Sequence, residues 1–69
     1  MSLSMRNQIA GTVTAVTAGE VTATVEARLV GGQEITAAIT LEAVKELGLT
    51  DGSPVRTLIK STEVSLAAA

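Results

Sequence analysis

The sequence predicts an all-β domain: five short antiparallel strands closed into a barrel, with one short helix between the third and fourth. Three observations predict it. Residues 20–29 alternate polar and apolar without a break, from Glu20-Val21 to Arg28-Leu29. A Gly31-Gly32 pair and a second alternating run follow. Three-residue apolar spacing then appears after Thr40, and alternation returns at Val55. A period of two marks a half-buried strand, and a spacing of three to four marks a helix face.

The elements follow in order. Ile9, Gly11 and Val13 share one parity, but Val16 falls on the other. A bulge between Val13 and Val16 would put all of them inside, and Gly11 suits a close backbone approach within that strand. Ala18-Gly19 reads as the turn into the second strand, whose inner face would carry Val21, Ala23, Val25, Ala27 and Leu29. Gly31-Gly32 fits a two-residue hairpin turn with both residues at positive φ. The third strand then runs to Ile39, with Ile35, Ala37 and Ile39 on one face. Thr40 is a suitable N-cap, and Glu42 suits the first turn. Leu41, Val44 and Leu47 form a narrow apolar stripe, and Gly48 with Leu49 suits a Schellman ending. Asp51-Gly52-Ser53-Pro54 is a turn cluster. Val55–Lys60 is the fourth strand and Glu63–Leu66 a short fifth. This order is that of a five-stranded antiparallel OB-like barrel with a helix plugging one end.

Composition sets the limits. With 69 residues, one domain spanning residues 1–69 is expected. There is no Phe, Trp, Tyr, His or Cys. Chains this short bury only about 60% of their unfolded surface and need a disulfide, a metal or a partner chain. Without Cys or His, neither disulfide nor structural zinc is available. Subunit association is the expectation that remains. The same absences remove thiol nucleophiles, imidazole bases and iron–sulfur ligands, so an enzyme is not expected. Base-stacking rings are missing and the formal net charge is -2, so a nucleic-acid partner is not expected either. No apolar run approaches the ~20 residues of a membrane span. The first residues lack the features of a secretory signal, which makes the cytoplasm the expected location.

The cations separate into two groups. Arg28, Lys45 and Arg56 fall on polar faces and read as solvated. Arg6 lies in Ser4-Met5-Arg6-Asn7-Gln8, and Lys60 opens Lys60-Ser61-Thr62. Each is a cluster of donors at a strand end. Such donors suit a small tetrahedral oxyanion, through charge-assisted bonds from Arg and Lys completed by hydroxyls and amides. Ordinary polar strand ends would look the same in sequence. Glu34, Glu42, Glu46, Asp51 and Glu63 show no calcium-loop spacing, and Gly31-Gly32 lacks the rest of a phosphate loop.

Taken in order, Ser4-Met5-Arg6-Asn7-Gln8 with Gly11-Thr12-Val13, Gly31-Gly32-Gln33-Glu34-Ile35-Thr36, Ile39-Thr40, Glu46-Leu47-Gly48-Leu49 and Ile59-Lys60-Ser61-Thr62-Glu63-Val64 resemble the molbindin family. The resemblance runs from Ser2 to Leu66. It implies a barrel of the OB type, assembled as a hexamer, a trimer of dimers around a threefold axis. It implies binding of molybdate, and usually tungstate, at subunit interfaces, for storage and homeostasis, with no other cofactor and molybdenum held only as the oxyanion. A sensing module that signals to a protein partner is the alternative it leaves. Matching positions make Ser4, Arg6, Thr40, Lys60 and Ser61 the oxyanion-binding residues. Glu20 departs from the pattern: a carboxylate beside an anion pocket either points away or tunes affinity.

Overall fold

The computed structural model describes residues 6–69. Its elements are β1 (Asn7–Ala18), β2 (Thr22–Leu29), β3 (Glu34–Thr40), α1 (Leu41–Leu47) and β4 (Pro54–Ile59), followed by a 3-10 turn at Ser61–Glu63. The strands form one antiparallel sheet in the order β3-β2-β1-β4. β1 is the organising strand. Its first half pairs with β4, from Asn7↔Ile59 to Thr12↔Pro54. Its second half pairs with β2, from Gly11↔Leu29 to Ala18↔Ala23. Only Gly11 and Thr12 pair on both sides, so the sheet curls along β1.

The expected bulge is present. The register shifts between Val13 and Ala15, leaving Thr14 as the extra residue. Thr14 ties the site down by donating its hydroxyl to the Glu26 carbonyl at 3.2 Å. The shift turns Val13 and Val16 to the same side, where Val13 is buried and Val16 packs against it. Gly11 is also explained. A Cβ there would lie 2.7 Å from the Arg28 carbonyl oxygen, so the two backbones approach too closely for any side chain.

α1 begins and ends as its sequence requires. The Thr40 Oγ1 accepts from the Ala43 N–H at 3.1 Å. Gly48 adopts φ 64, its N–H donates to the Lys45 carbonyl, and the Leu49 N–H donates to that of Val44. Those two bonds are the Schellman pair, and they fold Leu49 back onto the core.

Four expectations are corrected. First, the described residues form four strands, not five. After β4 the 3-10 turn, closed by the Glu63 N–H on the Lys60 carbonyl, swings the chain off the sheet. Val64–Leu66 pairs with no strand, and Leu66 is almost fully exposed. β3 and β4 are the two unpaired edges, so the sheet is an open half-barrel. Second, the β2–β3 hairpin has a three-residue loop. Gly32 N–H donates to the Leu29 carbonyl, Leu29 N–H donates to that of Gln33, and only Gly32 has positive φ, at 91°. This is a turn closed by a glycine bulge, which leaves Gly31 in ordinary conformation. Third, Val21 is exposed because the β1–β2 turn, closed by Gly19 N–H on the Thr22 carbonyl, consumes it. Fourth, Leu47 is exposed: in a two-turn helix Val44 alone reaches the centre, and Leu49 takes the place beside it.

The core is small. Val13, Ala23, Val25, Ala27 and Val44 are its buried members, with Val16, Ile39, Leu41, Leu49 and Val55 packed around them. The chain exposes 5419 Å². A compact 7.0 kDa chain is expected to expose about 4,000 Å². The excess is about 1,400 Å² by the same scaling.

Candidate functional site

Arg6 and Lys60 lie at the same end of the sheet. Asn7↔Ile59 is the last pair of the β1–β4 ladder, and Arg6 precedes Asn7 as Lys60 follows Ile59, so each lies one residue beyond that pair. Ser61 opens the turn that follows. All three are exposed, and among the described residues their side chains have no bonded partner. Ser4 lies outside the described residues. Two neighbouring cations without a carboxylate between them repel each other unless an anion joins them. The other strand arginines are occupied. Arg28 pairs with Glu34 at 3.4 Å, and Arg56 donates to the Gln8 Oε1 at 3.3 Å. That difference separates Arg6 and Lys60 from the other two arginines but not from Lys45, whose side chain also has no bonded partner among the described residues.

Thr40 lies at the opposite end. It pairs with Thr22 in the last step of the β2–β3 ladder, next to the β1–β2 turn. Its oxygen caps α1, which leaves its O–H free to donate outward. Leu41 N–H is spent on the Val21 carbonyl at 2.8 Å, tying the helix start to the turn. Around Thr40 a shallow cup of about 390 Å³ is lined by Glu20, Val21, Leu41, Glu42 and Lys45. Lys45 was read as solvated, and it is exposed, but it also borders this cup. The signal for this was its four-residue spacing from Leu41, which puts both on one helix face.

The four assigned residues that are described therefore fall into two groups, Arg6, Lys60 and Ser61 at one end of β1 and Thr40 near the other. β1, 12 residues long, separates Arg6 from the turn beside Thr40. That is roughly 40 Å of extended strand, less once bulged. The apolar groove between β3 and β4, about 540 Å³ and lined by Val25, Ala27, Ile35, Ile39 and Val55 among others, is a separate feature. Arg6, Thr40, Lys60 and Ser61 do not line it. Among the described residues no three or more Asp and Glu cluster in a way that could hold a metal ion, and no helix is long and apolar enough to cross a membrane.

Thr40 can be tested for its structural share alone. Thr40→Ala removes the cap and is expected to cost about 1 kcal/mol. Thr40→Ser keeps the oxygen and is expected to stay within a few tenths of wild type. Equal melting temperatures for Ala and Ser variants would show that the cap contributes nothing.

A curled antiparallel sheet with one capped helix, in a four-stranded half-barrel, has the architecture of a small OB-like β domain. The model of the TOBE domain family matches residues 3–66, and the chain belongs to that family. Molybdenum-pterin-binding protein 3 of Clostridium pasteurianum is 43% identical over 68 residues, covering 99% of this chain and 100% of the relative. A molybdate-binding protein from Sporomusa ovata superposes with a TM-score of 0.94 at 35% identity, over 99% of this chain and 100% of that one. The cytoplasmic molybdate-binding protein ModG, in a form with molybdate bound, gives a TM-score of 0.88 at 44% identity. There the match covers 91% of this chain and 45% of the longer one. The molbindin-type relationship expected from the sequence thus holds. The half-barrel with its single helix is the form in which this chain matches those folds.

Proposed function

We propose that this protein binds molybdate, and tungstate with it, as a cytoplasmic store that buffers the free oxyanion, with sites formed between copies of the chain. The observation that carries this reading is the split placement of the donors. Arg6, Lys60 and Ser61 lie at one end of β1 and Thr40 at the other. A neighbouring copy is the simplest way to bring the two sets together. The surface supports association: Val21, Val30, Leu47, Leu58, Val64 and Leu66 are exposed on a chain whose core holds only small side chains. The family's relatives named for molybdate or molybdenum-pterin support the choice of ligand.

The mechanism is equilibrium binding without a chemical step. Lys60 and Arg6 neutralise the dianion, and the Ser61, Thr40 and Ser4 hydroxyls donate to its oxygens. A hydrogen bond to a charged group contributes roughly 1.5–3 kcal/mol, so five donors near the upper end of that range supply the roughly 8 kcal/mol of micromolar binding with a few kcal/mol over for the entropy of capture. A ligand held between copies also stabilises the assembly, by about 2.7 kcal/mol at a hundred times its Kd. A hexamer built as a trimer of dimers is the assembly this reading carries. Native mass spectrometry with and without molybdate tests both parts. A hexamer that gains oxyanion mass is expected. A folded protein with no uptake at micromolar molybdate would end the proposal.

A further inference from the structure

The cup around Thr40 carries a charge balance that an anion site should not have. Glu20 and Glu42 border it with Lys45, two carboxylates against one ammonium. None of the three side chains has an ion pair or hydrogen bond among the described residues. Glu20 sits in the β1–β2 turn that Gly19 N–H closes on the Thr22 carbonyl. That turn is tight, since a Cβ at Gly19 would lie 2.8 Å from the same carbonyl oxygen. The turn therefore holds the Glu20 backbone at the rim of the cup, which Glu20 helps to line. Glu42 differs: in the first turn of α1 its charge is offset by the helix's free N–H groups. Glu20 has no such offset.

We infer that Glu20 sets the strength of oxyanion binding, weakening the grip on a dianion at Thr40 by charge repulsion so that bound oxyanion stays exchangeable. The inference rests on the oxyanion reading of Thr40 proposed above. Coulomb repulsion between one carboxylate and a dianion across a few ångströms of wet surface corresponds to roughly a three- to tenfold loss of affinity. It should shrink as salt screens it. Repulsion also scales with ligand charge, so a monoanion of the same tetrahedral shape should feel only half of it in logarithmic terms.

The test is calorimetric titration of the assembled wild-type protein, Glu20→Gln and Glu20→Asp with molybdate and with perrhenate, at low and high salt. Glu20→Gln is expected to bind molybdate three- to tenfold more tightly, with a gain for perrhenate near the square root of that. Both gains should fall at high salt, and Glu20→Asp should stay near wild type. Glu20 is exposed and makes no bond, so the fold does not depend on it. Wild-type binding with an unchanged or weaker Glu20→Gln would overturn the role of Glu20 and leave the oxyanion reading standing. Equal gains for both anions, insensitive to salt, would show a conformational effect and overturn it too. No molybdate binding by any of the three would overturn the oxyanion reading, and this inference with it.

Discussion

Gly11→Ala is expected to destabilise the protein by about 3 kcal/mol, and Gly11→Val by more, out of the few kcal/mol that hold a chain of this size. The reason is local and geometric. The added Cβ would sit 2.7 Å from the Arg28 carbonyl oxygen and 3.4 Å from the Leu29 Cα. Both are backbone atoms and cannot rotate aside. Gly11 is also one of the two β1 residues paired on both sides, to Leu29 and to Val55. A shift toward either neighbour breaks a ladder. Gly32→Ala is the contrast. Its Cβ would meet nothing within 4 Å, and its cost is that of holding alanine at φ 91, roughly 1–2 kcal/mol. In thermal unfolding at one fixed protein concentration, Gly11→Ala should lower Tm by roughly 10–20 °C. A loss under 3 °C would mean the β1–β2 approach relaxes at little cost.

The same glycine shows what could be read in the sequence. A glycine inside an alternating run marks a close approach, and the parity change between Val13 and Val16 marks a bulge, because both are local consequences of strand geometry. Thr40 and Gly48 were legible for the same reason: caps answer to backbone groups within one turn. The errors share a different cause. Val64 and Leu66 alternate as strand residues do, but alternation reports a face to be buried and not the chain that buries it. In this chain the Ser61–Glu63 turn takes them off the sheet. Val21 continues the β2 pattern without a break, and only the length of the turn decides that it lies outside. Leu47 fits the helical stripe, but a seven-residue helix presents one full inner position, which Val44 fills.

The candidate site divides along the same line. Arg6 and Lys60 each stood out from context, as cations among donors at strand ends. Their adjacency needed the β1–β4 register. The distance of Thr40 from both needed the course of β1, which pairs with β4 at one end and β2 at the other. No local pattern encodes that, since it depends on which strands choose to neighbour each other. Glu20 stood out in the sequence as a departure from the family pattern, but Lys45 became relevant only when the turn and the helix start were placed together.

Lys60→Ala and Arg6→Ala are each expected to weaken molybdate binding by roughly ten- to hundredfold, the share of one charge-assisted hydrogen bond. The two cations lie one residue beyond the same ladder pair without carboxylate partners, and each attracts the dianion on its own account. The repulsion between them is common to the free and the bound protein, so the double variant should lose about the sum of the two single losses. The unliganded fold should hold, or gain slightly, since both side chains are exposed. Arg56→Ala is the control. Arg56 is a surface cation of β4, the strand that Lys60 follows, but is bonded to Gln8, and its loss should change molybdate affinity by less than twofold. Calorimetry on the wild type and the four variants, with circular dichroism to confirm folding, reads the whole pattern. Wild-type affinity in both single variants would remove Arg6 and Lys60 from the site. Equal losses in Arg56→Ala would reduce their role to the general field of the surface, because only a direct contact distinguishes neighbours on one strand.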